Sequence, residues 1–372
     1  MRVNSRFFES ILSKWGSIRE QFSGIEEFEG IDPQIVLSEW NEYHYKNNKS
    51  YKIVSGDGSY NTLEYIDKYV ILSAGLGISF DENYNKDEKY LSFVIVIPFD
   101  VIVKKFLDDL ASLIMATLEL KSIYLISKEK SPDIVILDGS IRNFIIRFGP
   151  SHSKEIGQNW FYKGNLDERK IDELYYENKE SIFEFDLWSY NIVKMNIKGD
   201  DKFIYFAHLL YYEYLKVLDE LLKNFKVVSI SKSFSPTFEN KIFPLINAPD
   251  IIIFNNYTKS VGYSSISYYL KDEYNIKWKL PEPFRHLEKK DINFFYARFE
   301  ENYRVYKVEF IGNLNQEEIL DVLHPFIISG YPYILKIAHS EVLISDKDAE
   351  LFENYVKNEM KREIGLKLRS EL

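Results

Sequence analysis

The tripeptide Asp-Gly-Ser occurs twice, and each copy follows an apolar stretch of strand character. The first acidic motif is Asp57-Gly58-Ser59 and the second is Asp138-Gly139-Ser140. A helical stretch between them carries Glu119. Strand ends present side chains at one edge of a sheet, and a helix packed on that sheet can add a third. Three carboxylates at one point cannot all stay ionised, because like charge and desolvation both oppose ionisation. A divalent cation removes the conflict, so these acids predict a metal site.

Paired divalent ions are the usual catalyst of in-line displacement at phosphorus, so the leading hypothesis is a metal-dependent nuclease. Asp57 is assigned as the ligand that bridges two ions, and Asp138 and Glu119 complete their shells. His339 follows an apolar run and is assigned as a ligand of the second ion or as a proton shuttle. A set of oxygen and nitrogen ligands suits Mn²⁺ better than Mg²⁺, so we predict two ions of Mn²⁺, with Mg²⁺ as the alternative.

Each of these residues also has a plainer interpretation. An Asp-Gly pair after a strand is most often a turn, a helical glutamate usually faces solvent, and a lone histidine is most often a packing residue. The repetition of the tripeptide favours the metal site. The sequence contains no Gly-x-x-x-x-Gly-Lys, Gly-x-Gly-x-x-Gly or Gly-x-Ser-x-Gly pattern. Motor ATPases, dinucleotide oxidoreductases and serine hydrolases therefore lose their strongest sequence support.

The composition narrows the class of protein further. The chain has 372 residues, no cysteine and a formal net charge of −10. The lack of cysteine excludes disulfides, thiolate zinc sites and cysteine nucleophiles. The few methionines and abundant Lys, Glu, Ile and Tyr are typical of a hyperthermophile. The apolar stretch 93–103 is far shorter than the roughly 20 residues of a spanning helix, and no secretory signal is visible, so we expect a cytoplasmic protein without a membrane anchor.

The spacing of apolar residues predicts an α/β fold, with a mixed sheet flanked by helices and additional helices at both termini. Residues 1–50 form an N-terminal helical segment and a candidate interface, and residues 51–372 form the main domain with an insertion or lid at about 151–200. Helices are predicted over 4–23, 35–45, 100–127, 166–179, 201–225, 316–328 and beyond Ser345, which with Asp348 caps the C-terminal helix. Strands are predicted over 51–55, 70–78, 90–98, 133–137, 144–148, near 182 and 192, and over 227–231, 251–254, 294–299 and 303–310.

The motifs, taken in order, resemble the NurA nucleases of archaea and bacteria. The resemblance covers about 51–352 and rests on these residues: the first motif, Glu119, Ile136-Leu137 before the second motif, Val228-Ser229-Ile230-Ser231-Lys232, Asp250, Phe295-Tyr296-Ala297-Arg298, Tyr306-Lys307-Val308-Glu309, Gly330-Tyr331-Pro332 and Ala338-His339. The helix before Glu119 lacks the arginine expected in that family.

The resemblance implies an RNase H-like core and a homodimer with a central channel. It also implies Mn²⁺-dependent cleavage of DNA, including 5′ to 3′ exonuclease and single-strand endonuclease activity. A hexameric HerA-type translocase would be the partner in end resection at double-strand breaks. Lys232, Arg298 and Tyr331 are assigned as substrate contacts. Two alternatives stay open: a catalytically weak or inactive DNA-binding scaffold of the same fold, and a nuclease that acts on RNA.

Overall fold

A computed structural model describes residues 14, 32–46, 50–99, 106–148, 167–199, 202–232, 242–244, 248–268 and 280–370, with side chains described as far as residue 359. Apart from residue 14, the helix predicted over 4–23 lies outside these residues. Ten strands of the described chain form one mixed sheet, in the order β1-β7-β9-β10-β6-β5-β2-β3-β4, with β8 beside β9. The strands are β1 (Trp40–Glu42), β2 (Ile53–Glu64), β3 (Lys68–Phe80), β4 (Lys86–Pro98), β5 (Ile134–Asp138), β6 (Val227–Ser231), β7 (Gly262–Ser264), β8 (Ser267–Tyr268), β9 (Ile292–Arg298) and β10 (Tyr306–Ile311). A separate short pair consists of β11 (Ile327–Ile328) and β12 (Tyr331–Pro332).

Helices cover both faces of the large sheet. They are α1 (Pro33–Ser38), α2 (Leu107–Lys130), α3 (Ile141–Ile146), α4 (Glu168–Asn178), α5 (Trp188–Asn196), α6 (Lys202–Asn224), α7 (Asp250–Tyr257), α8 (Gln316–Leu323), α9 (Tyr333–Val342) and α10 (Asp346–Ser370). Helix α2 packs on one face of β2 and β3, and α9 packs on the other. One large apolar core surrounds α2 and α6, and a second lies under α8 and α9. The predicted mixed sheet flanked by helices is confirmed.

Helix α2 lies unusually close to the sheet because the strands beneath it, β2 and β3, present glycines to it. Gly56 pairs with Gly77, and Gly58 pairs with Gly75, across the antiparallel strands β2 and β3. A methyl group on Gly75 would lie 2.2 Å from the carbonyl carbon of Leu118 in α2. By length and hydropathy α2 could span a membrane, but 83% of its most apolar window is buried inside the fold. It is therefore the core helix of the molecule.

Several predicted boundaries are wrong, and the first correction concerns the first acidic motif. Strand β2 does not end at Ser55 but continues through the motif to Glu64, because the small glycines let the extended chain pass beneath α2. The helix predicted over 35–45 ends at Ser38, and β1 follows it. The helix predicted over 316–328 ends at Leu323, before Pro325.

Four predicted strands are not strands in the structure. Residues 144–148 belong mainly to α3, whose N-cap Ser140 accepts a hydrogen bond from the Asn143 amide at 3.3 Å. The run 251–254 lies in α7, the piece near 182 directly follows a short 3₁₀ segment, and the piece near 192 lies in α5. Short apolar runs do not distinguish a buried strand from a buried helix by periodicity, which explains these errors.

The described part of the predicted insertion, residues 167–199, packs into the core rather than standing apart as a lid. The Trp188 side chain at the start of α5 is fully buried. The carboxylate of Glu213 in α6 accepts hydrogen bonds from the Trp188 and Ser189 amides at 3.0 and 2.8 Å and from Lys121 of α2 at 2.5 Å. The buried ion pair of Lys121 and Glu213 links α2 to α6. The amides at the N-terminus of α5 donate to the same Glu213 carboxylate, so its acceptors are satisfied.

Candidate metal centre

Asp57 lies in the middle of β2, at the point where the neighbouring strand β5 stops. The parallel register pairs Ser55 with Ile136. Two residues further along both strands, Asp57 is therefore level with Asp138, the last residue of β5. The two acidic motifs meet at this point of the sheet although they are far apart in the chain. The structure places the two predicted aspartates side by side, but only Asp138 lies at a strand end.

The Asp57 carboxylate contacts a histidine from the opposite end of the chain. Its Oδ2 lies 2.7 Å from Nδ1 of His339, and its Oδ1 accepts the amide of Gly58 at 2.8 Å. His339 is in the last turn of α9, and its side chain is 73% exposed. The predicted association of His339 with the acidic motifs is therefore seen as a direct contact. The second ring nitrogen of His339, Nε2, takes no part in this contact.

The Asp138 carboxylate is held by a lysine and by a well-braced loop. Lys232, directly after β6, places its Nζ 2.9 Å from Asp138 Oδ2. The next residue, Gly139, has a φ of +126°, which an L side chain rarely adopts, and its carbonyl accepts a hydrogen bond from Ser231 at 2.7 Å. Ser140 donates to the buried carboxylate of Glu309 at 2.8 Å. These contacts fix the direction in which Asp138 leaves the strand.

Glu119 completes the group from α2, and its environment opposes its charge. The residue is only 5% exposed, and its carboxylate accepts no hydrogen bond from the residues that the structure describes. Burial, followed by the negative charge of Asp57, raises the pKa of Glu119 to about 8; Asp138 adds to this effect and Arg147 opposes it. A carboxylate in this position stays ionised at neutral pH only beside additional positive charge.

The donor chemistry of the group fits a divalent cation. Three carboxylates and one imidazole supply oxygen and nitrogen donors, and the Glu119 side chain is buried with no hydrogen-bond donor to it among the described residues. In the described part of the chain, no three His, Asp or Glu side chains lie close enough to share one ion as they stand. A cation would compete with His339 and Lys232 for the oxygens of Asp57 and Asp138.

The structure separates the three predicted substrate contacts. Lys232 lies at the acidic group, with its Nζ 4.4 Å from the ring centre of Tyr331. Burial and the charge of Asp138 raise the pKa of Tyr331. Arg298 is elsewhere: it is 2% exposed, and its Nη2 donates to the Thr258 carbonyl at 2.7 Å. The prediction that Arg298 contacts the substrate is not supported by this position, because its guanidinium is committed to the interior.

Four residues that brace the second motif belong to the segments that resemble the family, but no individual role was assigned to them from the sequence. They are polar residues on central strands: Ser229 and Ser231 on β6, and Lys307 and Glu309 on β10. Ser229 accepts the Ile141 amide at 3.2 Å, and the Lys307 ammonium lies 3.6 Å from Glu309. A usable signal existed, since central strands are usually continuous apolar runs and these strands alternate. Arg147, which follows α3 and bonds Ser112 of α2 at 2.9 Å, was also missed.

The NurA domain family model matches residues 51–344, which are most of the chain. The chain belongs to the NurA family. It is 30% identical over 365 residues to a probable DNA double-strand break repair nuclease NurA of Methanocaldococcus jannaschii, covering 89% of this chain and 85% of that protein. It is 25% identical over 350 residues to the DNA double-strand break repair nuclease NurA of Sulfurisphaera tokodaii, covering 92% of each. The predicted family is confirmed.

Solved NurA structures share the fold of this chain. The crystal structure of the NurA nuclease from Sulfolobus solfataricus superimposes with a TM-score of 0.64 at 21% identity, covering 97% of this chain and 98% of that one. A NurA crystal structure with bound dAMP and manganese superimposes with a TM-score of 0.58 at 17% identity, covering 93% and 94%. At these identities the likeness establishes the NurA fold, in agreement with the predicted architecture.

Proposed function

We propose that this chain is a metal-dependent DNA nuclease that hydrolyses phosphodiester bonds, with Mn²⁺ as its preferred ion and two ions at the site. The observation that carries the proposal is the buried carboxylate of Glu119, which has no hydrogen-bond donor among the described residues and lies in the field of Asp57 and Asp138. The names of the relatives, as repair nucleases, and the manganese in a NurA crystal structure support the same reading.

Asp57, Asp138 and Glu119 would hold the ions, which when bound lower the pKa of the attacking water and stabilise the leaving oxygen. His339 contributes a proton site of its own. Its Nδ1 is engaged with Asp57, so in the neutral ring Nδ1 carries the proton and Nε2 is the acceptor. Because the side chain is largely exposed, Nε2 can exchange a proton with a water at the substrate. Lys232 offers an ammonium group beside Asp138 for a phosphate oxygen.

The finer parts of the proposal concern polarity and partners. We include 5′ to 3′ exonuclease activity, single-strand endonuclease activity, a homodimer and a HerA-type hexameric translocase in end resection, all of which the family resemblance implies. The sequence lacks a phosphate-binding ATPase loop, so a motor for moving along duplex DNA must be on another polypeptide. Activity on DNA rather than RNA rests on the names of the relatives.

The decisive experiment compares two conservative variants on linear DNA labelled at either the 5′ or the 3′ end. Asp57→Asn removes one charge from the site, whereas Asp87→Asn removes one from an exposed ion pair with Lys130. In Mn²⁺ or Mg²⁺, the wild type and Asp87→Asn should degrade DNA, and EDTA should stop them. Asp57→Asn should lose several kcal/mol of transition-state stabilisation, roughly a hundredfold or more in rate.

A second measurement separates a nuclease from an inactive scaffold. Mn²⁺ that binds the native protein must raise its melting temperature, and Asp57→Asn should reduce that rise while Asp87→Asn should not. The proposal fails if neither cleavage nor a Mn²⁺-dependent shift is seen with the HerA-type partner present. Full cleavage by Asp57→Asn would overturn the assignment of Asp57. Labelled RNA run beside the DNA decides between the two substrates.

A further inference from the structure

Two cations and two tyrosines form a compact cluster beside the second acidic motif. The Lys232 ammonium lies 4.4 Å from the ring centre of Tyr331, and the Arg304 guanidinium lies 5.3 Å from that of Tyr306. The two tyrosine rings are themselves 5.2 Å apart. Arg304 also donates a hydrogen bond to the Lys232 carbonyl. We call these four residues the tyrosine-backed cation pair.

The cluster is rigid on its protein side. Tyr306 and Tyr331 are 5% and 4% exposed, and Tyr306 also stacks on the buried ring of Phe299 at 5.6 Å. Cation–π contacts and the hydrogen bond to the Lys232 carbonyl hold the two charged groups against the buried tyrosine rings. Less side-chain entropy is therefore lost when an anion binds than at a freely mobile arginine.

The cluster is open on its other side. Lys232 has a side chain 47% exposed, and Arg304 is exposed. Lys232 already pairs with Asp138, but Arg304 forms no ion pair with any described carboxylate. A guanidinium carries five donors, and the known contacts of Arg304 use few of them. An ordered, exposed arginine without a carboxylate, at the rim of an acidic site, has donors available for a planar anion such as a phosphate.

We propose that Arg304 binds the phosphate group next to the scissile one, with Lys232 between it and the carboxylates. The order follows from the contacts: Lys232 touches Asp138 directly, whereas Arg304 reaches only as far as the Lys232 backbone. A nucleic-acid strand whose scissile phosphate lies at Asp138 thus meets Lys232 first and Arg304 next. This inference rests on the proposed nuclease function, and it adds a specific residue that holds the strand in register.

The test measures binding of a short, fluorescent single-stranded DNA to the full chain in EDTA, where cleavage is absent, over a range of salt concentrations. Arg304→Gln should weaken binding and reduce the slope of log K against log salt by about 0.7, the loss of one phosphate contact on a single strand. Arg304→Lys keeps the charge and should keep the slope. Arg285→Gln removes an exposed arginine from a different surface and should change neither quantity.

The position of the contact is tested with neutral methylphosphonate linkages placed one at a time along the strand. Mn²⁺-dependent cleavage of the unmodified strand by the wild type first identifies the scissile bond. The affinity difference between wild type and Arg304→Gln should vanish only when the linkage beside that bond is neutral. An Arg304→Gln variant that matches Arg285→Gln overturns the inference, and so does a coupling at a distant linkage. Failure of the wild type to bind or cut would instead count against the proposed function.

Discussion

The two acidic motifs have the same sequence but different backbones. The first stays extended in the middle of β2, flanked by strands on both sides at its start. The second ends β5, turns, and begins α3. Both place an aspartate beside the end of β5, Asp57 from the middle of a strand and Asp138 from the end of one. The same tripeptide therefore adopts two backbone conformations, and its surroundings determine how the chain presents the aspartate.

The glycines show the difference most clearly, because each is required for a separate reason. A methyl group on Gly58 would lie 2.7 Å from Met115 Cγ and 3.3 Å from Glu119 Cβ, so this glycine makes room for the helix that carries the third acid. A methyl group on Gly139 would meet nothing closer than Phe144 at 3.6 Å. Gly139 is needed instead for its φ of +126°.

The serines differ in the same way. Ser59 accepts the Ile344 amide at 2.9 Å and so ties β2 to the segment between α9 and α10. Ser140 caps α3 and donates to Glu309, so it supports its own motif. The partners of the aspartates differ as well, since Asp57 contacts an imidazole and Asp138 an ammonium group.

The largest effect that tests this comparison is expected from Gly75→Ala. Gly75 pairs with Gly58 across the sheet, and its new methyl group would lie 2.4 Å from the Glu119 amide nitrogen. Backbone cannot yield as a side chain can, so we expect a loss at or above the roughly 3 kcal/mol upper end of overpacking costs, together with lost cleavage. Urea unfolding and the DNA assay measure both. A variant of near wild-type stability would show that α2 does not rest on these glycines.

The next effect separates the two motif glycines. Gly58→Ala should cost about 1–3 kcal/mol by overpacking, and Gly139→Ala about 1–3 kcal/mol by backbone strain. The causes are distinguished by adding Met115→Ala, which removes the Cγ atom that the Gly58 methyl group would strike. We expect this second change to offset part of the loss in Gly58→Ala and none of it in Gly139→Ala. Equal recovery in both double variants would contradict the distinction.

A smaller effect is expected at the serines. Ser140→Ala removes a helix cap, worth about 1 kcal/mol, and also a donor to the buried Glu309 carboxylate. Ser59→Ala removes a single acceptor for the Ile344 amide, so it should cost less. Ser340→Ala, in which the lost hydroxyl bonds only the exposed Ile337 carbonyl, is the control and should be nearly neutral. Thermal unfolding ranks the three, and a larger loss for Ser59→Ala would reverse our interpretation.

The pH dependence of stability reports on Glu119, which lies between the motifs. Its folded-state pKa is about 8, against an ordinary value of 4.5. Between these values the folded protein holds the extra proton, so the free energy of unfolding falls as pH rises and levels off above about 8. In metal-free buffer, wild type should lose stability relative to Glu119→Gln over this window, by at most about 1.4 kcal/mol per pH unit. Parallel curves for the two proteins would show that Glu119 does not titrate there.

The smallest expected effect compares the two aspartates through the same titration. Asp57 contributes more than Asp138 to the raised pKa of Glu119. Asp57→Asn should therefore lower the pKa of Glu119 more than Asp138→Asn does, and the pH window of falling stability should narrow accordingly. Carbon NMR of the Glu119 carboxyl gives both values directly. The reverse order would place Glu119 closer to the second motif than to the first.

Much of the fold followed from local pattern. The long strands β3 and β4, the core helix α2, the helix α6 and the hairpin of β9 and β10 were predicted with errors of a few residues. The cap of α10 by Ser345 and Asp348 was predicted as well, and the structure has the hydroxyl bonded to that carboxylate. The predictions for short apolar runs were wrong, as at α7, where four apolar residues in a row fit either a strand or a helix.

The site shows where local pattern stops being sufficient. The kinds of acid, their order and the presence of a histidine were readable from the sequence, because they are matters of residue type alone. Arg298 was misplaced, since a lone arginine at a strand end looks the same whether it faces solvent or bonds buried carbonyls. Two members of the tyrosine-backed cation pair, Lys232 and Tyr331, were predicted as substrate contacts. Arg304 was not predicted, because only contacts between separate strands and turns bring it to them.

By itself, the sequence determined which side chains are available and with what period they repeat along each element. Tertiary structure decided which of them meet: Asp57 with His339, 282 positions away, and Asp138 with Lys232, 94 positions away. It also decided that Glu119 is buried and carries a raised pKa. Register between strands and the depth of a helix on a sheet depend on packing between distant segments. Hydrogen bonding and desolvation then act on whichever groups that packing brings together.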